Sequence, residues 1–297
     1  MFNSRAMQQQ LDVQPGSPIF ESGSSGICVT RLGSPLLIEE MESIVSFYFG
    51  RPTDYYVQME TSKYTTLVAD AQDELNKRAL ARRLAADRHD VLRAILGSER
   101  IMVQSHLYLR ATRPMRSGQE SVGWHRESFY GSSVETAVNF WLPIINVTIE
   151  NTLLYVPDSH LIPDEVIVTE NEEDPTVQRG SAAHRIGLLY SPKRILSGVD
   201  FSTQRPFIAF PGEAAIFSGQ LIHGAAVNRS DKIRFSADFR LIAAENLRTN
   251  KWHFASGKEY SRSCEDLAQH FRLSFVSMNS GFAGKSRYIS RLVFLLD

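Results

Sequence analysis

Apolar positions recur at helical spacing through the first third of the chain, and beyond residue 100 the spacing shortens toward two. Ile27 to Leu32 is a short, β-branched run and predicts a strand. Ser34-Pro35 has the form of an N-cap followed by proline at the first helical position. Leu37, Met41, Ile44, Val45 and Tyr48 then keep three- and four-residue spacing until Gly50 ends the helix. A second, longer helical stretch is predicted over about 70–96. Leu75, Leu80, Leu84, Val91, Leu92 and Ile95 form its apolar side, and Gly97-Ser98 stops it. Arg82, Arg83, Asp87 and Arg88 lie among its polar positions and read as a solvated helix face rather than a nucleic-acid surface.

From Ile101 onward short strands take over. Met102 to Arg110 alternates, with Gln104, His106, Tyr108 and Arg110 on one face and Val103, Leu107 and Leu109 on the other. Further strands are predicted at Thr136–Ile145, Leu153–Val156, Pro206–Phe210, Ala214–Phe217 and Arg234–Ile242. A helix at about 262–272 and a strand-like run from Arg291 to Leu296 close the chain. Residues 163–205 are polar and longer than an ordinary connection, as lids and binding loops are. Residues 1–26, rich in Ser, Gly and Gln, read as a loose arm. Helices followed by many closely spaced strands predict a β-barrel or double-sheet sandwich with helices packed outside. Without an internal repeat or linker, residues 27–297 read as a single domain.

Composition narrows the function. With 43% hydrophobic residues the 297-residue chain can bury a sizeable core. A formal charge of −1 gives no bulk attraction to nucleic acid or to an anionic membrane surface. Cys28 and Cys264 are the only cysteines, so neither a disulfide framework nor a cysteine zinc site is expected. The N-terminus lacks the apolar core of a secretory signal, and no run approaches a membrane span. A soluble, cytoplasmic protein is expected, acting on a small molecule, with neither nucleic acid nor membrane as partner; a homodimer stays open.

The candidate chemistry centres on Ser121-Val122-Gly123-Trp124-His125-Arg126-Glu127. On an extended segment His125 and Glu127 project from the same face and can reach one metal ion. His223, in Leu221-Ile222-His223-Gly224, supplies a second imidazole about a hundred residues later. Two imidazoles and one carboxylate on one face of a metal, other positions open, are the ligand set of non-haem Fe(II) oxygenases. Arg234 opens a strand eleven positions after His223, with Ser236 two residues on. A dicarboxylate chelating the metal at one end needs a fixed cation at the other, and a guanidinium pairs with a carboxylate bidentately. Ser236 can add a hydroxyl donor to the same oxygens.

These blocks resemble a known family. Trp124-His125-Arg126-Glu127, Asn139-Phe140-Trp141-Leu142-Pro143-Ile144 and Glu150 through His160 follow one another as in phytanoyl-CoA dioxygenase-like oxygenases. His223-Gly224, Asn228-Arg229-Ser230-Asp231 and Arg234-Phe235-Ser236 complete the pattern over roughly residues 100–242. The resemblance implies a mainly β chain with flanking α-helices and a double-stranded β-helix (jelly-roll, cupin-like) core over about 100–242. The resemblance leaves 163–205, a lid-like insertion, and the N-terminal helices without a match; they are expected to cover the mouth of the site and choose the substrate, with 243–297 a C-terminal extension. It implies Fe(II), with 2-oxoglutarate and O2 as co-substrates. His125, Glu127 and His223 become the iron ligands, Arg234 with Ser236 the anchor of the far carboxylate, and Gln104 and Asn139 polar contacts to the co-substrate. Members of the family oxidise 2-oxoglutarate to succinate and CO2 while attacking an unactivated C–H bond.

Glu127 stands where the family's usual carboxylate ligand is Asp, one methylene shorter. A carboxylate there also argues against halogenation, since related halogenases leave that position to chloride. His160, after a Pro-Asp-Ser turn, is expected to be structural, while His106 shares the face of Gln104. Trp124 and Trp141 are expected to pack in the core. Arg113, Arg116, Arg126, Lys193 and Arg194 flank the site and either solvate loops or meet an anionic group on the substrate. The blocks Leu188–Lys193 and Ser218–Ala226 look similar to oxygenases that accompany sugar-tailoring enzymes. The substrate expected is a small polar metabolite, a sugar or aminocyclitol in a biosynthetic pathway, undergoing hydroxylation or oxidative cyclisation. A free or carrier-bound amino acid is the enzymatic alternative, and a jelly-roll binding module the non-enzymatic one.

Overall fold

The computed structural model describes residues 25–115, 122–130, 136–170, 181–187, 193–244, 246 and 293–296. β1 (Ile27–Arg31) leads into helices α1 (Pro35–Tyr48), α2 (Thr53–Val57), α3 (Thr61–Lys77), α4 (Leu80–Asp87) and α5 (His89–Leu96). Strands β2 (Ile101–Gln104), β3 (Tyr108–Thr112), β4 (Val138–Ile145), β5 (Leu153–Tyr155) and β6 (Val168–Glu170) follow. After α6 (Ala182–Arg185) come β7 (Arg194–Ser197), β8 (Arg205–Pro206), β9 (Glu213–Ser218), β10 (His223–Ala225), β11 (Arg234–Ala243) and β12 (Val293–Leu296). No helix among the described residues is long and apolar enough to cross a membrane.

The strands form a large antiparallel sheet ordered β1-β9-β4-β11-β2-β12, with β3 also paired to β11, and a small sheet ordered β10-β5-β8. Period-two alternation gives the large sheet two unlike faces. Val138, Phe140, Leu142 and Ile144 of β4 join Ala237, Phe239 and Leu241 of β11 and the apolar sides of the helices in one buried cluster. Phe140 and Phe239, directly opposed, stack at 4.9 Å. On the other face Trp141, Ala215 and Phe217 meet Tyr155 and Phe207 from the small-sheet side. The two sheets thus close on one another as a jelly roll with helices outside, the mainly β architecture that the sequence predicts.

α1 has the predicted bounds, with Ser34 at its N-cap and proline in its first turn. The single helix expected over 70–96 is instead α3, α4 and α5. Ala79 turns left-handed (φ 52°) and Arg88 leaves helical geometry, so each piece can turn its apolar side to the sheet. Leu75, Leu80, Leu84, Leu92 and Ile95 are accordingly all buried. Met102–Arg110 also divides. Asp238 faces Tyr108 but Leu241 faces Val103, a register slip of two residues that Ser105-His106-Leu107 takes up.

The 163–205 stretch contains short 3-10 turns, the β6–β7 ribbon and α6 rather than one loop. The ribbon side packs behind the small sheet: Ile167 meets Val156 and Ile222, with Trp124, Ile195 and Phe201 against them. This departs from the expectation that the whole insertion covers the mouth of the site. Those residues lie on the sheet face opposite to His223, where their apolar side chains can be buried. The expected 262–272 helix, Cys264, Arg116, Ser121, Leu188–Pro192, nearly all of the N-terminal arm and most of the C-terminal extension lie outside the described residues.

Candidate metal centre and its polar wall

Two imidazoles meet where the loop before residue 130 crosses the small sheet. His125 and His223 form an isolated antiparallel bridge, each backbone N–H donating to the other's carbonyl at 2.9 Å. Gly224 permits the crossing, because a Cβ there would stand 3.1 Å from the Trp124 backbone nitrogen. The rings lie 4.3 Å apart between centroids. His125 Nδ1 donates to Gly123 O at 2.7 Å, and His223 Nδ1 to Leu221 O at 2.9 Å. A carbonyl only accepts, so both Nδ1 atoms carry the proton and both Nε2 atoms keep a lone pair for a metal. Burial pushes both imidazoles below their ordinary pKa, and for His125 the neighbouring His223 adds to the effect. Both are therefore neutral at pH 7, as metal coordination requires.

Glu127 does not continue an extended segment, as the sequence predicts; it opens a 3-10 turn over Glu127–Tyr130. Its N–H donates to Gly219 O at 2.7 Å, which still turns the side chain to the face of His125. Oε1 lies 4.0 Å from His125 Nε2, and Oε2 pairs with the Arg240 guanidinium. One ligand atom from each of His125, Glu127 and His223 falls within 4.8 Å of the others, and all three residues are buried. Among the described residues this is the group of His, Cys, Asp and Glu side chains able to hold a metal ion.

β11 extends a polar row away from this cluster. Arg234, Ser236, Asp238 and Arg240 alternate on its inner face, opposite Thr112, Arg110 and Tyr108 of β3 and Trp141 and Asn139 of β4. Arg234 donates to Asn151 O and to Thr112 Oγ1, both at 2.9 Å, which fixes its guanidinium. Burial lowers its pKa to about 10, still leaving it charged at neutral pH. Its Nε and the Ser236 hydroxyl are buried without a hydrogen-bond partner. Two adjacent unpaired donors, one of them cationic, are costly to bury alone and fit an anionic oxygen. Asn139 Nδ2 and Trp141 Nε1 are likewise buried and unpaired on the same wall.

The other predicted positions divide. Gln104 is buried, but its Oε1 accepts the Arg240 N–H at 3.1 Å across the register slip. His106 turns away to α3 and α6, contacting Gln72, Asn76 and Arg185 O. His160, in the 3-10 turn Ser159–Leu161, lies against Gly26, where a Cβ would stand 2.6 Å from its Nδ1. Trp141 is fully buried and Trp124 packs on Phe201 at 4.9 Å. Arg113 binds Tyr56 O, Met59 O and Thr61, and Arg126 binds Ile162 O, Gln220 and Asp164. Arg194 pairs with Glu170, and Lys193 lies over the Phe129 ring at 5.8 Å. Sequence reasoning missed Arg240 and the bidentate Arg110–Asp238 pair (2.7 and 3.1 Å). Extending the Arg234/Ser236 alternation by two further steps would have found Asp238 and Arg240.

Residues 37–236, well over half of the chain, match the family described as phytanoyl-CoA dioxygenase (PhyH). The chain belongs to that family. Membership makes it a non-haem dioxygenase that uses Fe(II), 2-oxoglutarate and O2. No curated protein matches the sequence. Among solved structures the chain is similar to the apo non-heme monooxygenase ThoJ, with 16% identity over 85% of this chain and 90% of that one and a TM-score of 0.48. EvdO2 from Micromonospora carbonacea var. aurantiaca, solved with 2-oxoglutarate, has 15% identity over 79% and 93% of the two chains and a TM-score of 0.47. AviO1 from Streptomyces viridochromogenes Tue57 gives 16%, 74% and 90%, with a TM-score of 0.44. Identity and superposition are low throughout, so the assignment rests on the family match.

Proposed function

We propose that His125 and His223, through Nε2, and Glu127, through Oε1, hold the Fe(II) of this dioxygenase, and that it oxidises a small, hydroxyl-rich metabolite such as a sugar or aminocyclitol. The observation that carries the metal assignment is the pair of neutral imidazoles locked with Nε2 toward one buried carboxylate. Bound iron supplies the activation of O2 against 2-oxoglutarate. Arg234 and Ser236 orient the co-substrate by taking its far carboxylate on their unpaired Nε–H and O–H. Asn139 Nδ2 offers a further donor on the same wall.

The substrate class is supported by the state of the cations. The four described loop cations that could have met a substrate anion already have partners: Arg113, Arg126 and Arg194 in hydrogen bonds or ion pairs, Lys193 over a ring. On the inner wall Arg110 is paired with Asp238 and Arg240 with Glu127. Arg110 and Asp238, 18% and 27% exposed, present a neutral pair with donor and acceptor edges. Such an edge suits hydroxyl groups better than a phosphate or carboxylate.

Anaerobic titration with Fe(II) and 2-oxoglutarate should produce the weak visible charge-transfer band, and succinate release in air should rise with neutral sugars or aminocyclitols. No band from folded protein would overturn the metal assignment. Stimulation by sugar phosphates or acidic amino acids alone would overturn the substrate class.

A further inference from the structure

The carboxylate ligand here is a glutamate, and its extra methylene adds a rotatable bond between backbone and metal. A carboxylate free to turn can chelate an ion with both oxygens. With the open positions of a two-histidine, one-carboxylate site reserved for co-substrates, the carboxylate would have to bind through one oxygen. Something must fix the orientation of Glu127, and the residue in contact with its outer oxygen is Arg240.

We infer that Arg240 is a positioning residue that holds Glu127 Oε2 and so presents Oε1 alone to the metal. Three observations meet on this pair. The Arg240 guanidinium contacts Oε2 while Oε1 is the oxygen that faces His125 Nε2. The Glu127 side chain is 3% exposed, so its charge has little water to compensate it. The Arg240 backbone is itself pinned: the slip between β2 and β3 replaces a ladder bond with the Gln104 side-chain oxygen, which accepts the Arg240 N–H. On the large sheet Arg240 also stands opposite Asn139, whose unpaired Nδ2 faces the same space. Gln104 therefore acts through Arg240, and Arg240 through Glu127.

The inference rests on the proposed metal assignment, and Co(II) titration of the full-length protein separates the two. Wild type should bind one Co(II) with a visible d–d spectrum, and Glu127→Ala should nearly abolish binding. Arg240→Met should weaken Co(II) by about 10- to 100-fold, the usual cost of removing a group that orients a ligand, and should change the d–d bands as the second oxygen enters. Arg240→Lys should restore most of the affinity. In a Glu127→Asp background, one methylene shorter and expected to draw back from Arg240, Arg240→Met should change affinity by less than about threefold, since residues that no longer touch become additive. Should Arg240→Met not fold, Arg240→Leu, which likewise removes every donor, makes the same comparison. Unchanged affinity and spectrum in the Arg240 variants, with Glu127→Ala inactive in binding, would overturn the positioning role alone. Wild-type binding equal to that of Glu127→Ala would overturn the metal assignment and this role with it.

Discussion

On the proposed assignment the buried Arg234 side chain would serve both fold and ligand. Two of its nitrogens tie Asn151 O and Thr112 Oγ1 together, and the third is left for an anion. Arg234→Ala should therefore weaken 2-oxoglutarate by roughly 10- to 150-fold, the 1.5–3 kcal/mol typical of a hydrogen bond to a charged group, while Co(II) affinity changes little. Calorimetric titration of each ligand checks this, and equal 2-oxoglutarate affinity in variant and wild type would remove the anchor. The two imidazoles make a pH statement. Burial holds both below the ordinary value near 6.5, so between 6.5 and the folded values only the unfolded chain takes up their protons. The metal-free protein should then be most stable above pH 6.5 and lose up to about 1.4 kcal/mol per pH unit for each imidazole as pH falls. Urea unfolding from pH 7 to 5 should show a gentler slope in His223→Gln than in wild type; identical slopes would refute the burial argument.

At the scale of elements, the β6–β7 ribbon is bound to the back of the small sheet, on the face opposite to the His223 side chain. Gly198, after β7, has φ +89°, and a Cβ there would stand only 2.2 Å from Val166 O. Gly198→Ala should displace the ribbon and speed proteolysis within 163–205, at a cost of about 1–3 kcal/mol for a strained left-handed position. Co(II) and 2-oxoglutarate affinities should stay within about twofold, because the ribbon packs on Trp124 and Ile222 from the face opposite to the His223 side chain. A large loss of metal affinity would mean that the ribbon braces the His125–His223 bridge. The same elements show what the sequence could convey. Arg234-x-Ser236 was legible because residues two apart share a face of an extended strand, whereas His125 and Glu127 reach one face although Glu127 opens a 3-10 turn, through its N–H bond to Gly219 O. The break at Ala79 was hidden, because alanine is the best helix former and only the sheet's demand for three buried faces forces it left-handed. The Glu127–Arg240 pair was hidden for a related reason: it joins a 3-10 turn to a strand more than a hundred residues away, and no local pattern encodes that meeting.

The molecule as a whole carries the His125, Glu127 and His223 cluster at a seam between parts of unequal security. β4, β9 and β11 are long, paired on both sides and buried on both faces. The His125 segment is joined to the small sheet by one isolated bridge and the Ala225 N–H to Val122 O bond, and β10 by three residue pairs to β5. A metal bound by His125, Glu127 and His223 would cross-link that segment to β10, whereas Arg234 and Ser236 lie within the large sheet already. Stabilisation by a ligand follows mass action, about 2.7 kcal/mol at a hundredfold excess over Kd, but its distribution depends on which openings break metal contacts. Removing metal with a chelator should therefore speed amide hydrogen exchange most at 123–127 and 219–225, by one to two orders of magnitude if those segments open locally, while amides of β4, β9 and β11 exchange almost as before. Mass-spectrometric exchange on metal-loaded and chelated protein measures both regions at once. Protection lost equally across the large sheet would mean that the seam opens only when the whole jelly roll unfolds, and that the His125–His223 bridge is as secure without metal as with it.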